Sequence, residues 1–433
     1  MTGGRGLVAG LDVGTTTIRL GLFDPASGER VAFVHEQVAL EVPFVGAVEQ
    51  DAAAFVAATE RLWGAALGQA GVAAGDVDTL GIANQRATIV CWSAATGQPI
   101  RPAVGWQDSR TAATVAELVA EGIPINTSAS CTKMAWLLEH DPAVVAAAAD
   151  GTLRMGTVDA WMTWALSDGA AFVTEPGNAA ATGLYDVRRG DWSEGALEFF
   201  GVPRQPLPDI VASDAAVGPA HWLDPSGQVV LHARLGDQMA ACAAHELRDG
   251  EAKLTLGTSA MLDVHVGDTA TPAPDGCYLL PLWRRARGGA PFIHEGSINT
   301  AGSVVEWLVR IGLLDRVADL DAVAGEGRTG AVTFVPALAG LGTPHHDPAA
   351  RGEWSGLALD TTRPDMVRAV VEGIAHRVDE LAAHMGVTAL AVDGGLSRSA
   401  VLLESLAGRG LAVRRPDDVE ASLRGAALFA ATS

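Results

Sequence analysis

Two Gly-Thr turns, one in each half of the chain, constrain the fold more than any other feature. The first lies in residues 11–17 (LDVGTTT) and the second in residues 254–259 (LTLGTS). Each follows apolar residues typical of a strand. The glycine lets the backbone approach a phosphate closely, and the hydroxyls and amides that follow can bond its oxygens. Two such turns favour two related domains that share one nucleotide, an arrangement typical of phosphoryl transfer.

Length and charge narrow the class of protein. A chain of 433 residues predicts about two domains, and we place the boundary near residue 240, giving domains 1–240 and 241–433. Apolar residues make up 48% and charged residues 19%, which is ordinary for a globular enzyme. The net charge of -21 argues against nucleic acid as a partner, because that binding needs clustered Lys and Arg.

The termini and cysteines predict a cytoplasmic protein with no membrane partner. The opening MTGGR leads directly into a strand pattern, which leaves no room for a signal peptide. The longest apolar run of a predicted helix is too short to span a bilayer. The four cysteines lie far apart and lack the spacing of a zinc site, so we expect reduced thiols.

The hydrophobic pattern alternates between strands and helices and predicts an α/β fold. Strands are expected at 7–11, 18–23, 79–83, 88–92, 231–235, 254–256, 332–335 and 390–392. Helices are expected at 51–70, 111–120, 133–139, 238–246, 303–311, 364–384 and 421–431. The first two strands flank the first Gly-Thr turn, so we expect that turn to close a β-hairpin.

Two aspartates stand where phosphoryl transfer needs carboxylates. Asp12 ends the first strand beside the Gly-Thr turn, where it can hold Mg²⁺ next to a phosphate. Asp237 follows the strand at 231–235, where it can accept the proton of an alcohol. Taken alone, each aspartate is equally well explained as a cap of a turn or helix.

Two polar segments follow other predicted strands. Residues 84–86 (NQR) and 106–108 (WQD) offer polar groups with an aromatic wall, which suits a small polyhydroxylated ligand. Ordinary loop polarity and a core tryptophan are the alternative interpretation. Neither segment identifies a ligand alone.

Taken together, these segments resemble the FGGY family of carbohydrate kinases, most closely its glycerol kinase branch, over residues 7–431. Residues 128–140 (SASCTKMAWLLEH) fit the first signature of the family, including its Lys-x-x-Trp core. Residues 352–357 (GEWSGL) followed by 365–372 (DMVRAVVE) fit the second.

The resemblance implies two actin-like, ribonuclease H-like ATPase domains with the active site in the cleft between them. It implies ATP and Mg²⁺ as cofactors and a small polyol or sugar as acceptor, bound by the N-terminal domain. It makes Asp237 the catalytic base, and Asp12 and Asp237 the metal-binding residues. The residues implied to contact the nucleotide are Thr15, Thr16, Thr17, Arg19, Gly257, Thr258, Gly302, Glu306, Gly395 and Ser399. The residues implied to bind the acceptor are Arg86, Trp106, Asp237 and Gln238.

The chain departs from the glycerol kinase pattern at several of these positions. Ala87 stands where glycerol kinases have a glutamate that bonds glycerol hydroxyls, Ser128 where they have a tyrosine, and Met261 where they have a phenylalanine. Glu306 and Ser399 stand where glycerol kinases have Gln and Asn. A missing hydrogen-bond partner costs about 1–3 kcal/mol, so we expect weaker glycerol binding and a wider site.

These departures leave several functions open. A glycerol kinase-like enzyme acting on a four- or five-carbon polyol or ketose leads, with true glycerol kinase and ketopentose kinase as alternatives. A nucleotide-gated binding or sensor protein and an actin-like filament or chaperone ATPase belong to other classes. Asp237 argues against a binding or sensor protein, because such a protein has no need of a base. Arg86 and Trp106 argue against a filament or chaperone ATPase. The resemblance also allows a homo-oligomer.

Overall fold

The structure is a computed structural model that describes residues 6–123, 125–415 and 420–432. These residues form two compact units. Unit 1 takes in the described residues up to Ala244, together with Pro281–Ala290 and the residues from Ser422 onward. Unit 2 takes in His245–Leu280 and Pro291–Ala421. The predicted assignment of the acceptor to the first domain and the nucleotide to the second stays a prediction.

The main sheet of unit 1 has six strands in the order β13-β14-β5-β1-β2-β3. Its central strand β1 runs antiparallel to β2 and parallel to β5, which is itself parallel to β14. The strands of this unit are β1 (Leu7–Val13), β2 (Thr17–Phe23), β3 (Arg30–Gln37), β4 (Glu49–Gln50), β5 (Val77–Asn84), β6 (Ile89–Ser93), β7 (Ala103–Val104), β8 (Leu153–Thr157), β9 (Val173–Thr174), β10 (Tyr185–Asp186), β11 (Asp191–Trp192), β12 (Asp209–Ile210), β13 (Gly218–Pro219) and β14 (Val230–Gly236).

The main sheet of unit 2 also has six strands, in the order β17-β18-β16-β15-β21-β22. Here β15 runs antiparallel to β16 and parallel to β21, which is parallel to β22. The strands are β15 (Ala252–Leu256), β16 (Ala260–His265), β17 (Tyr278–Pro281), β18 (Phe292–Ile298), β19 (Thr333–Val335), β20 (Glu353–Ser355), β21 (Ala389–Asp393) and β22 (Ala412–Arg414).

The helices pack around these sheets and bury their apolar sides. They are α1 (Ala52–Ala70), α2 (Ala112–Ala120), α3 (Ser130–His140), α4 (Pro142–Ala149), α5 (Val158–Leu166), α6 (Pro176–Ala181), α7 (Glu194–Phe200), α8 (Asp237–Ala244), α9 (Gly302–Arg310), α10 (Leu320–Gly325), α11 (Arg363–His384), α12 (Ala400–Gly408) and α13 (Ala421–Ala431). In unit 2 the core lies between β15, β16, α9 and α11.

Local sequence accounts for the ends of the longest helices. Asp51 caps α1 by accepting the Ala53 N–H, and Gly71 ends the same helix in the left-handed conformation, with φ 69°. Thr362 and Asp365 form a reciprocal capping box at the start of α11. The predicted hairpin and the predicted helices at 51–70 and 364–384 are confirmed within two residues at each end.

The two main sheets repeat one topology. In each, an antiparallel set of three strands is followed by two strands parallel to the first, in the spatial orders β3-β2-β1-β5-β14 and β18-β16-β15-β21-β22. A Gly-Thr turn joins the first two strands of both sets. The predicted α/β class and the two related, actin-like domains are confirmed. Within the described ranges, every helix is too short or too polar to cross a bilayer, and the four cysteines are free thiols.

Candidate active site

The first Gly-Thr turn closes the β1–β2 hairpin of unit 1. The Gly14 N–H donates to the Thr17 carbonyl at 3.1 Å, which makes the turn tight. Thr16 is exposed at its tip, and Thr15 is half-buried. Asp12 and Arg19 are paired across the hairpin, and Arg19 Nη1 lies 3.3 Å from Asp12 Oδ2. The turn thus presents hydroxyls beside a paired carboxylate and guanidinium.

The carboxyl ends of two neighbouring parallel strands bring Arg86 and Asp237 together. Gly236, at the end of β14, is in register with Asn84 at the end of β5. Arg86 Nε lies 3.5 Å from Asp237 Oδ1, and about a third of the Asp237 side chain is exposed. A Cβ on Gly236 would lie 2.7 Å from Arg86 Cδ, so this position needs glycine for the arginine to pass.

Asp237 and Gln238 open helix α8. The Gln238 N–H donates to Asp237 Oδ1 at 2.8 Å, which fixes the carboxylate against the first turn of the helix. An N-cap side chain accepts from the N–H two or three residues on, whereas this bond joins neighbouring residues, so it does not test the capping interpretation of Asp237.

Trp106 connects the acceptor residues to the first turn. Its indole Nε1 donates to Thr15 Oγ1 at 3.1 Å. Its carbonyl accepts from Lys133 Nζ at 3.0 Å, and the Gly105 carbonyl accepts from the same nitrogen at 3.3 Å. Lys133 is fully buried, and this burial lowers the pKa of its ammonium to about 8.

Ala87 occupies an unusual backbone conformation directly after Arg86. Its φ of 61° lies in the left-handed region that disfavours residues other than glycine, asparagine and aspartate. Its carbonyl accepts from Ser130 Oγ at 2.9 Å, which holds the turn, and its methyl group is buried. Ser128 is half-buried before α3, and Met261 is half-buried on β16 in unit 2.

A buried polar network lies behind the segment that carries Arg86. Asn84 exchanges two side-chain amide bonds with Asn178, at 2.8 and 3.1 Å. Asn178 Nδ2 and Ser213 Oγ each donate to the Glu175 carboxyl group. Full burial and the nearby Asp159 raise the pKa of Glu175 to about 7.

The second Gly-Thr turn joins β15 to β16 in unit 2. The start of helix α9 is fixed to it, since the Gly302 N–H donates to the Gly257 carbonyl at 2.8 Å. A Cβ on Gly302 would lie 2.7 Å from that oxygen, so this approach needs glycine. Thr258 is exposed at the turn, and Glu306 is exposed one turn along α9.

Gly395 and Ser399 lie after β21, the strand parallel to β15. Gly394, with φ 84°, packs on the Leu256 backbone, and a Cβ on Gly395 would meet no atom within 4 Å. Ser399 caps α12 by accepting the Leu402 N–H and donates its hydroxyl proton to Asp321. Gly395 therefore faces open space, whereas the hydroxyl of Ser399 is already engaged within the unit.

The donor set fits a magnesium nucleotide. Asp12 and Asp237 offer carboxylate oxygens, which Mg²⁺ prefers. Among the described residues, no cluster of three or more His, Cys, Asp and Glu side chains could hold a metal alone. An ion held by these two residues would keep water and phosphate oxygens as its other ligands. In unit 2, the backbone at Gly395 is open, because a Cβ there would meet no atom within 4 Å.

Several residues around the site are not identified by the sequence alone. Lys133 stands in the first signature, which does not indicate its role. The local sequence around Gln50, Thr88 and Asn178 does not indicate their hydrogen-bond partners. Their partners are up to 94 residues away along the chain. Only the folded structure brings these groups to the ends of β1 and β5.

Comparisons with known proteins agree with this geometry. The profile of the FGGY family of carbohydrate kinases, N-terminal domain, matches residues 7–242, and the C-terminal domain profile matches residues 252–433. The chain is similar to glycerol kinase of Bordetella parapertussis, with 36% identity over 445 residues that cover 97% of this chain and 87% of that protein. It is also similar to glycerol kinase of Thermus brockianus, with 37% identity over 96% of this chain and 88% of that protein.

Solved structures show the same likeness. The glycerol kinase of Plasmodium falciparum with ADP has a TM-score of 0.90 and 26% identity, covering 98% of this chain and 89% of that chain. A ligand-bound xylulose kinase from Lactobacillus acidophilus shares the fold, with a TM-score of 0.86 and 20% identity over 98% of this chain and 88% of that chain. On these matches, this chain belongs to the FGGY family of carbohydrate kinases and is an ATP-dependent carbohydrate kinase.

Proposed function

We propose that this kinase phosphorylates a hydroxyl of a small polyol or sugar and that its acceptor site is altered relative to glycerol kinase. The observation that carries the proposal is the meeting of Arg86 with Asp237 at the ends of β5 and β14, beside the Trp106–Thr15 bond. A charged pair, an aromatic wall and a hydroxyl-bearing turn in one unit suit an acceptor with several hydroxyls.

Asp237 acts as the general base. Its carboxylate is partly exposed, and one oxygen is held by the Gln238 N–H, so the group keeps a fixed direction toward the acceptor. Arg86, 3.5 Å away, orients the carboxylate and can donate to a second acceptor hydroxyl. As the acceptor oxygen bonds to the γ-phosphorus of ATP, the bond from that phosphorus to the bridging oxygen breaks, ADP leaves, and Asp237 takes up the hydroxyl proton.

The two Gly-Thr turns bind the phosphates. Thr15, Thr16 and Thr17 with Arg19 serve the first turn, and Gly257, Thr258 and Gly302 serve the second. Asp12 and Asp237 hold Mg²⁺, which when bound neutralises charge on the phosphate oxygens. Gly395 leaves room for the nucleotide, whereas Glu306 and Ser399 are the weaker assignments because they depart from the glycerol kinase pattern.

Ala87 supports an acceptor other than glycerol. Its buried methyl group cannot supply the carboxylate that glycerol kinases place there. The small side chain leaves more room beside Arg86, which favours a four- or five-carbon polyol or ketose. True glycerol kinase and a ketopentose kinase are the alternatives. Met261 and Ser128 are smaller than the phenylalanine and tyrosine of glycerol kinases, so they also favour a larger acceptor.

The test exchanges this one side chain. We expect Ala87→Glu to raise kcat/KM for glycerol relative to D-xylulose by roughly 10- to 100-fold, the value of one regained hydrogen bond. Ala87→Ser is the matched control, because it adds a polar atom without the carboxylate. An unchanged ratio in Ala87→Glu, with the variant folded and active, contradicts the altered acceptor site.

A further inference from the structure

Five residues of unit 1 form a closed ring of hydrogen bonds through their side chains and two backbone groups, and we call it the Thr15 ring. Trp106 Nε1 donates to Thr15 Oγ1 at 3.1 Å, and the Trp106 backbone N–H donates to Thr88 Oγ1 at 3.1 Å. Thr88 Oγ1 donates to Gln85 Oε1 at 3.1 Å. Gln85 Nε2 then donates to Gln50 Oε1 at 2.9 Å, and Gln50 Nε2 donates to the Thr15 carbonyl at 2.8 Å.

The ring fixes the direction of every group in it. Gln50 and Gln85 each use the amide nitrogen on one neighbour and the amide oxygen on the other, so neither amide can flip without losing two bonds. Gln50, Gln85 and Thr88 are at most 2% exposed, so water cannot replace a lost partner. A change at one member is therefore passed to the others.

Two members of the ring belong to different parts of the proposed site. Trp106 is the wall of the acceptor site, and Thr15 lies in the first phosphate turn. Because the indole N–H occupies a lone pair of Thr15 Oγ1, the hydroxyl must direct its own proton elsewhere. In the proposed site, a phosphate oxygen at the turn would accept that proton.

We propose that the Thr15 ring couples acceptor binding to nucleotide binding, with Gln50, Gln85 and Thr88 as positioning residues. This inference rests on the proposed function. An acceptor packed on Trp106 fixes the indole, and the indole fixes the Thr15 hydroxyl toward the phosphate. The nucleotide therefore binds more tightly when the acceptor is present, and by linkage the acceptor binds more tightly when the nucleotide is present.

Thr88 offers a matched pair of variants. It is connected to Trp106 and Thr15, the two residues assigned to ligands, through the bonds of the ring. Thr88→Val keeps the shape and removes the hydroxyl, and Thr88→Ser keeps the hydroxyl. ADP with Mg²⁺ is titrated calorimetrically into the whole protein, alone, with saturating glycerol and with saturating D-xylulose. The readout is the ratio of ADP dissociation constants without and with the acceptor, which a purely structural loss of stability does not change.

We expect the acceptor to tighten ADP binding by on the order of fivefold or more in the wild type and in Thr88→Ser, and to leave it nearly unchanged in Thr88→Val. A folded Thr88→Val protein that keeps the wild-type ratio overturns the proposal. So does a wild type that phosphorylates an acceptor without any tightening of ADP binding.

A second variant covers the case in which Thr88→Val does not fold. Gln50→Met introduces an unbranched side chain and removes both hydrogen bonds that the Gln50 amide makes in the ring. We expect the acceptor to leave ADP affinity nearly unchanged in this variant. A Gln50→Met protein that keeps the wild-type ratio overturns the proposal. Failure of the proposed function gives a different result from failure of this inference. If the proposed function fails, the wild type itself phosphorylates neither compound, and the coupling is absent as well.

Discussion

The two Gly-Thr turns have the same place in their sheets but are stabilised differently. In unit 1 the first turn has backbone bonds of its own and, in addition, side-chain bonds from Trp106 and Gln50, which are distant in sequence. In unit 2 the second turn is bonded to the start of α9, because the N–H groups of Gly302 and Ser303 and the Ser303 hydroxyl donate to the Gly257 and Thr258 carbonyls. Repetition of one topology has therefore produced two kinds of turn.

The difference separates an adjustable turn from a fixed one. Side chains of the acceptor site reach Thr15, so the first turn can respond to the acceptor. The second turn is bonded to the start of α9 through main-chain groups, and a Cβ at Gly302 would clash with it. We therefore expect variants near the first turn to change turnover and coupling, and variants near the second to change nucleotide affinity.

The buried lysines of the two units also have different partners. The only two lysines of the chain, Lys133 in unit 1 and Lys253 in unit 2, are both fully buried. Lys133 donates to backbone carbonyls, whereas Lys253 Nζ lies 2.8 Å from Asp263 Oδ2. In unit 2, burial acts to raise the pKa of Asp393, but the His245 hydrogen bond and the Lys253 charge outweigh it and lower the pKa. The buried lysine of unit 1 thus has neutral acceptors, whereas that of unit 2 has a charged one.

The largest effect is expected at Asp237. Asp237→Asn should lower turnover by roughly 10²- to 10⁴-fold, since the base is lost, and leave the affinity for ADP measured without Mg²⁺ unchanged, since the second turn is intact. Turnover is measured by acceptor-dependent ADP release and affinity by calorimetry. Asp150→Asn, at the exposed end of α4, is the control. Full turnover in Asp237→Asn contradicts the assignment of Asp237 as the general base.

The two buried lysines should respond unequally to the same substitution. Lys253→Met leaves Asp263 as an unpaired buried charge, so we expect a loss of roughly 3–5 kcal/mol in the free energy of unfolding. Lys133→Met loses hydrogen bonds to two carbonyls and relieves a buried cation, so its loss should be smaller. Chemical denaturation measures both variants, and Lys253→Met/Asp263→Leu should recover most of the loss. Equal losses in the two single variants contradict the contrast.

The pH dependence of stability should reveal the raised pKa of Glu175 in unit 1. The folded-state pKa of Glu175 is raised from 4.5 to about 7, so the stability it contributes is present at low pH and is lost as pH rises through 7. The advantage of the wild type over Glu175→Gln should therefore shrink by roughly 2–3 kcal/mol between about pH 5 and pH 8. Glu60→Gln, at an exposed position of α1, should show a flat difference. A flat difference for Glu175→Gln contradicts the raised pKa.

The smallest effect sharpens the nucleotide assignment in unit 2. A Cβ at Gly395 or at Gly408 meets no atom within 4 Å, so alanine at either position should leave the melting temperature unchanged. Only Gly395→Ala enters the space assigned to the nucleotide, and we expect ADP affinity to fall by roughly tenfold there. Calorimetry on both variants makes the comparison. Equal ADP affinities in Gly395→Ala and Gly408→Ala contradict the assignment of Gly395 to the nucleotide site.

Much of the fold was predictable, because its signals are local. The signals for the hairpin around Gly14 and for the amphipathic helix α11 each lie in a short window of sequence. The positions of Asp12 and Asp237 at strand ends followed from the same windows. Their roles, like those of the other site residues, stay predictions.

The supporting groups were not predictable, because they depend on contacts between distant residues. Gln50 reaches Thr15 across 35 positions, and Trp106 reaches the same residue across 91. Residues 281–290 likewise return to unit 1, where the Arg284 N–H donates to Ser213 Oγ. Nothing in the local sequence indicates these partners, since a glutamine or an arginine looks the same whether it faces solvent or another element.

The most direct test of the central claim is the specificity of the wild-type enzyme. ADP release is followed with glycerol, erythritol, xylitol, ribitol, arabitol, dihydroxyacetone, D-xylulose and D-ribulose, and kcat/KM is compared. We predict that a four- or five-carbon compound gives the highest kcat/KM, because in the proposed acceptor site Ala87 lacks the carboxylate that binds glycerol in glycerol kinases. A clear preference for glycerol would contradict the altered acceptor site.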